Sequence, residues 1–411
     1  MADKELIPNL FRSEFAKIVA VLCKTYGIAN LQLAEDLVSE TFLKATETWG
    51  LKGVPDNPTA WLYTVAKNKT KDHFKHVQIF ATKIDPELKH LAKEAYTEPD
   101  FEIDLSESNI NDSLLQMLFA VCNPILSNEA QIGMALRILC GFGVDEIAKA
   151  LLTSKATINK RLFRAKEKFR IQKIDLSLPD NNAIENRLDN VLSVLYLLFN
   201  EGYFSTTVEK TIRKDLCFES MRLLYLLLNN ATTNKSNTNA LMALFCFHAS
   251  RFETRTNKEG EVVLYDDQDK NKWDSELIRL GEFYLNEAAK GNSYSKYHIE
   301  ASIAFYHTRI EIDQEEKWRS ILQLYNKLLQ IEYSPIAALN RTYALAKAKG
   351  KKIAINEALK INLQNNYLYH ALLADLYENE NAEKRMAHLK KAIELSPTDQ
   401  AKKVFLKKMS L

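Results

Sequence analysis

The stretch TSKATINKRLFRAKEKFR (153–170) sets Lys155, Lys160, Arg161, Arg164, Lys166, Lys168 and Arg170 against a single acid, Glu167. The chain around it is nearly neutral, with 55 Lys+Arg and 53 Asp+Glu in 411 residues. Ile158, Leu162 and Ala165 recur at i, i+4 and i+7, which places them on one inward face of a helix. Thr157, Asn159, Lys160, Phe163, Arg164 and Lys168 are then left outward or sideways. The preceding VDEIAKALL (144–152) reads as a shorter helix buried through Ile147, Ala148 and Leu151. A hydroxyl at Thr153 or Ser154 is available to cap the helix that follows. Two helices joined by a short turn, the second strongly basic, form a helix-turn-helix pattern. In a major groove such a helix can pair phosphates or guanine edges through Lys and Arg, and read adenine or a thymine methyl through Asn and Thr. Charge alone fits a solvated basic face as well.

Outward from that stretch, the totals point to an all-α chain. Gly (11) and Pro (9) are scarce, whereas chains of many strands need many turn residues. The length implies two or three domains. The five cysteines, Cys23, Cys122, Cys140, Cys217 and Cys246, are odd in number and show no CxxC spacing. They read as reduced, buried thiols of a cytoplasmic protein rather than a disulfide framework or a zinc site. No apolar stretch approaches the ~18–20 residues of a membrane span, and MADKELIPNLF lacks the form of a signal peptide. No membrane partner is expected.

Three helices are predicted before residue 80: 10–27, stopping at Gly27; 31–49; and 60–77, which carries Lys67, Lys69, Lys71 and Lys75 on a basic face. The loop GLKGVPDNP (50–58) separates the last two. TEPDFEIDLSES (97–108) alternates acids with apolar residues and reads as an extended acidic linker. After the polar break IDLSLPDNNA (174–183) the chain reads as long amphipathic helices. The segment 369–397 has the shape of a tetratricopeptide repeat, with Ala374, Tyr377, Leu389, Ala392 and Pro397 near the positions that motif requires, although Arg385 stands where a small residue belongs. A degenerate copy is expected at 334–361.

With these motifs in place, the chain resembles the extracytoplasmic-function (ECF) sigma factors of bacterial RNA polymerase, in particular the subgroup with a C-terminal helical, tetratricopeptide-like extension. The sigma-2 resemblance rests on LAEDLVSETFLKA (33–45) and PDNPTAWLYTVAKNKTKDHF (55–74), and the sigma-4 resemblance on residues 126–170. The extension's rests on VLYLLFNEGY (194–203), VVLYDDQDKNKWDSELI (262–278) and SPIAALNRTYALA (334–346). The resemblance implies a sigma-2 domain at 1–80, a linker at 81–110, a sigma-4 domain at 111–172 and an extension at 180–411. It implies that Glu35, Asp36 and Glu40 dock onto core RNA polymerase. Trp49, Asn57, Trp61, Lys67, Asn68 and Lys71 would take the −10 promoter DNA, where melting exposes a flipped base. Lys155, Thr157, Asn159, Lys160, Phe163, Arg164 and Lys168 would approach the −35 element, with Arg161 and Lys166 on phosphates. The acidic linker would follow the polymerase's RNA path or serve as a plain tether. The extension would regulate in cis, through an intramolecular contact or by receiving a regulatory protein.

The sequence departs from the family pattern at Ser39, where many relatives carry Gln, and at Asn159, where the wider class often has Arg or Gln. No enzyme motif competes. LYDDQDKNKWD (264–274), aligned as a calcium loop, has Lys272 where Gly belongs and Ile278 where a Glu ligand belongs. There is no HExxH, P-loop, GxGxxG or GxSxG, so no catalytic residue, metal or cofactor is expected. Trp61 also reads as core, and His248 and Arg251 as packed or hydrogen-bonded rather than catalytic. The rival reading is a helix-turn-helix regulator or repeat-type adaptor that never binds polymerase. The N-terminal block, for which such a protein has no need, separates the two.

Overall fold

A computed structural model describes residues 3–84, 103–151, 153–180, 183–203, 213–257, 263, 265–291, 294–396 and 399–409, and divides the chain into two compact units, residues 1–195 and 196–411. Among the described residues there is no strand, as the Gly and Pro scarcity led one to expect. No described helix is long and apolar enough to cross a membrane.

The first unit is built around helix α1 (Asp3–Tyr26), whose Phe15, Ile18, Val19 and Leu22 are buried. It ends at Gly27, which adopts φ +86°, a backbone region that penalises a side chain. Helices α2 (Leu31–Lys52) and α3 (Pro58–Ile84) follow. Pro58 opens α3, where its missing N–H costs nothing, and the Asn57 carboxamide accepts from Ala60 N at 3.0 Å. Helix α4 (Glu107–Val121) is capped by Ser106 and packs on α1. The expected linker 81–110 is helical at both ends: residues 81–84 belong to α3 and residues 107–110 are the first turn of α4. Residues 85–102 lie outside the described residues, and with them most of the acidic stretch. Helix α5 (Asn128–Met134) runs into a π-helical turn (Ala135–Leu139). Helices α6 (Val144–Ala150) and α7 (Lys155–Gln172) follow, joined by a short connection and packed on each other.

Helix α8 (Ile184–Tyr203) contains the boundary between the units. Its first half belongs to the first unit: Arg187 Nη2 donates to Phe119 O at 2.7 Å, and Asn190 Nδ2 donates to Cys122 O and to Gln131 Oε1. The compact division therefore falls some way past the residue 180 read from the polar break.

The second unit continues with α9 (Lys214–Leu228), α10 (Ser236–Ala249), α11 (Ser275–Ala289), α12 (Lys296–Thr308), α13 (Gln314–Ile331), α14 (Pro335–Lys349), α15 (Lys351–Ala358), α16 (Tyr367–Tyr377), α17 (Ala382–Leu395) and α18 (Asp399–Met409). Helix α10 is apolar all round because α9, α11 and α12 surround it. From α13 onward each helix packs chiefly on its sequence neighbour, the arrangement of a helical stack in which each pair buries its face against the next. Ala374, Tyr377, Leu389 and Ala392 are all buried in the α16–α17 pair. Arg385 is accommodated because its guanidinium reaches Lys408 O at 3.1 Å. Pro397 lies outside the described residues. Two of the aspartates in 264–274 have structural tasks: Asp269 accepts from Asn271 N, and Asp274 caps α11 by accepting from Glu276 N and Leu277 N at 2.9 and 3.0 Å.

The motif FNEGY (199–203) owes its glycine to close approach. A Cβ on Gly202 would sit 2.7 Å from Arg213 O and 2.7 Å from Cys217 Sγ. Gly202→Ala is expected to destabilise the second unit by about 1–3 kcal/mol, the usual cost of overpacking. Urea unfolding of the full chain checks this, and an unchanged midpoint contradicts it.

Candidate nucleic-acid interface

Helix α7 forms as its sequence requires. Ser154 is the N-cap, its hydroxyl accepting from Thr157 N at 3.1 Å. Ile158, Leu162, Ala165 and Phe169 are buried on one face, and Leu162 passes over Gly133 of α5. Helix α6 is held by its own first turn, where Glu146 accepts from Gly143 N at 2.8 Å. Ile147 and Ala148 are buried as expected, whereas Leu151 is half-buried.

On the opposite face Lys155, Asn159, Lys160, Phe163, Arg164 and Lys168 are exposed, Phe163 to 67%. An aromatic ring left in water on a basic helix face has no packing reason there, and it suits contact with a thymine methyl or a base. The remaining expected contacts are modified by local bonds. Thr157 is half-buried and its hydroxyl is shared with Ser154 at 2.8 Å. Lys155 pairs with Asp145 at 2.9 Å, and Lys168 Nζ donates to Ile125 O at 2.8 Å. Both lysines keep exposed positions, so these contacts are weak and can be exchanged.

Lys166 differs. The sequence reading set it on a phosphate, but only 19% of its side chain is exposed. Its Nζ donates to Gln32 Oε1 at 2.7 Å and lies against Glu35 Oε2 as an ion pair. Glu35 is itself 2% exposed, and its other oxygen accepts from Arg137 Nε at 2.9 Å. Arg137 donates further to Phe142 O at 3.2 Å and lies over the Phe15 ring. The expectation that Glu35 faces polymerase is therefore corrected: its carboxylate is the buried counter-ion of two cations from the C-terminal half of the unit. Cys23 lies within reach of this charge, and its thiol is raised first by burial and then by Glu35. Asp36 and Glu40 are exposed, the former accepting from Gln32 Nε2 at 3.0 Å and the latter paired with Lys69 at 2.8 Å.

In the −10 set, Trp49 is buried, so its ring is not open to a base, which corrects that expectation. It braces Trp61, edge-on at 5.3 Å, and Trp61 is the half-exposed member of the pair. Asn57 is exposed but committed as the cap of α3. Asn68 and Lys71 are exposed and Lys67 half-buried, so α3 presents a basic face. Tyr63 fixes α3 to α1 by donating to Glu14 Oε2 at 2.6 Å.

Arg137 was not singled out from sequence. A lone arginine inside the apolar run IGMALRILCGF (132–142) was the available signal, because a buried guanidinium requires an anion. Glu35→Gln leaves Arg137 and Lys166 facing each other without one. It is expected to destabilise the first unit by about 3–5 kcal/mol, whereas the apolar triple variant E35L/R137M/K166M recovers most of that loss. Urea titration of the full chain reads both. Equal losses in the single and triple variants contradict the assignment.

Residues 11–78 match the Sigma-70 region 2 family, and residues 187–289 match a family of unknown function, DUF6596. The uncharacterized protein R00370 of Rhizobium meliloti (strain 1021) is 33% identical over 349 residues, which cover 84% of this chain and 82% of that protein. The ECF RNA polymerase sigma factor BldN of Streptomyces coelicolor is 32% identical over 141 residues, 34% of this chain and 50% of BldN. No solved structure matches the chain at a significant level. The match to R00370 runs through most of both proteins, so the chain belongs to one family with R00370, and its helices α1–α3 carry a Sigma-70 region 2 domain.

Proposed function

We propose that the chain is a sigma factor of the ECF type, which binds core RNA polymerase in the cytoplasm, directs it to promoters and performs no covalent catalysis of its own. The observation that carries this reading is the outward face of α7. Asn159, Lys160, Phe163 and Arg164 stand exposed on a helix-turn-helix, in a chain whose α1–α3 match region 2 of the sigma-70 family. BldN, named as an ECF RNA polymerase sigma factor, is the relative that favours the ECF type.

On this reading residues 1–80 serve core binding and the −10 element, and residues 111–172 serve the −35 element. Asp36 and Glu40 meet the polymerase from the exposed side of α2. Trp61 is the stacking ring at the melted junction, with Trp49 as its support, and Asn68, Lys67 and Lys71 line the path of the strand. Lys155, Lys160, Arg164 and Lys168 hold phosphate or base edges, and Asn159 reads a base. The region from 180 onward is a tetratricopeptide-like extension that regulates the rest; the helix pair α16–α17, with its four buried motif residues, supports that likeness.

Fluorescence anisotropy of the full chain with core polymerase on DNA from the region upstream of its own gene tests the reading. Affinity is expected to fall steeply with salt, and Lys160→Ala to reduce the slope of log K against log salt by about 0.9. Asn159→Ala is expected to relax preference at one −35 position by about 1–3 kcal/mol. A salt-independent signal, or one unchanged without core polymerase, contradicts it.

A further inference from the structure

The second unit encloses a cavity of about 650 Å³ between the second half of α8 and helices α10, α12, α13 and α14. That volume is in the range of pockets for small ligands. Its two ends differ in chemistry. At one end Arg251 Nε donates to Gln268 Oε1 at 3.1 Å, with the guanidinium over the rings of Tyr265 at 4.8 Å and Trp273 at 5.4 Å. Arg255 lies over the Tyr203 ring at 4.0 Å, and Tyr203 lies 4.5 Å from the His248 ring. Tyr265 donates to His307 O at 2.6 Å and accepts from the buried Lys317 at 3.0 Å. Among the described residues Arg251's side-chain contacts are Gln268 and the two rings, and His307 Nδ1 is buried without a hydrogen-bond partner. Burial and the neighbouring cations bear on two of these groups. Burial, then Arg251 and Lys317, hold His307 down to about 3, and burial, then Lys270 and Arg251, hold Lys317 down to about 8.

The other end is balanced. Lys296 pairs with Glu332 at 2.9 Å, and Glu300 lies close to Tyr196 and Lys296. Tyr196 and Tyr203 are seven residues apart on α8, as are Glu300 and His307 on α12, so the two ends are about 10 Å apart along both helices. Between them Ile303 and Ala304 from α12 and Leu244 from α10 supply an apolar wall, with Asn200 of α8 as a polar group on the lining. Glu332, Ile336 and Asn340 are exposed at the balanced end, which makes it the mouth.

Among the described residues the half-buried Arg251 guanidinium faces two π faces and one amide oxygen and is short of an anion, and the planar fork is suited to carboxylate or phosphate. An apolar wall about 10 Å long leading away from it suits a hydrocarbon or aromatic body. We propose that this cavity binds a small organic anion, its carboxylate or phosphate on Arg251 and its body along Leu244, Ile303 and Ala304 towards Glu300 and Tyr196. The neighbouring Arg255 and Tyr203 close the inner end around the headgroup.

Thermal unfolding and calorimetric titration of the full chain test this with octanoate, octyl phosphate, octanol and inorganic phosphate as probes. Octanoate or octyl phosphate is expected to bind and raise the melting temperature, and whichever binds more tightly identifies the headgroup. Octanol lacks the charge and inorganic phosphate lacks the body; both are expected to bind at least roughly tenfold more weakly. Arg251→Gln is expected to weaken the bound amphiphile by roughly tenfold or more. Ala337→Phe narrows the mouth and leaves Arg251 in place, so it carries the test if Arg251→Gln does not fold; it is expected to abolish binding. Failure of both anionic amphiphiles to bind overturns the proposal. So does octanol binding as tightly as octanoate, or undiminished binding to the folded Ala337→Phe variant. The readout involves neither DNA nor polymerase, so it stands or falls apart from the promoter reading.

Discussion

The Glu35 carboxylate, buried between Arg137 and Lys166, is the constraint on which the first unit turns. One oxygen faces the π-helical turn before α6, and the other faces α7. Each cation is partly removed from water, with 22% and 19% of its side chain exposed, and the acid almost entirely, with 3%. Two cations and one anion leave a positive remainder, which suits a region whose outer face is basic. The pairing also fixes the rotation of α7 about its axis. Lys166 turned towards α2 leaves Asn159, Phe163 and Arg164 facing water.

Around this group the contacts are of the weaker, exchangeable kind. Arg12 pairs with Glu146 and Lys24 with Asp112 at the surface, at 2.8 and 2.9 Å, and such pairs contribute little individually. On the proposed reading this difference has a mechanical meaning. Promoter elements centred near −35 and −10 are separated by some tens of ångströms of duplex, at about 3.4 Å per base pair. Helices in contact through Lys166 and Glu35 cannot serve both ends without parting. On that reading the buried ionic group and the apolar packing of α4 on α1 would both have to open, while the surface pairs exchange with water.

Much of the fold was legible because it rests on local pattern. Ile158, Leu162 and Ala165 announced the inner face of α7, the hydroxyls of Thr153 and Ser154 a cap of which the structure uses Ser154, and Gly27 the end of α1. The shortage of Gly and Pro announced the absence of sheets in the described residues. Glu35 was misread because it stands in LAEDLVSE (33–40), among acids that resemble a solvated face. Helical spacing carried the better signal: position 35 is four residues after Leu31, three before Val38 and seven before Phe42, on the buried stripe. Trp49 was given the same role as its neighbour because sequence does not say which of two rings in edge-on contact lies underneath. The anion cavity could not be read at all. Its walls come from residues spread between Tyr196 and Asn340, and no local spacing brings them together.

The central claim, that this chain gives promoter specificity to a polymerase lacking it, is tested most directly by run-off transcription. Purified core RNA polymerase would be assayed with and without the full chain on linear DNA from the region upstream of its gene. The account predicts a transcript of one defined length that requires the chain and disappears when the exposed face of α7 is replaced by alanine. Tight DNA binding with no chain-dependent transcript from any core polymerase and template tried would contradict it.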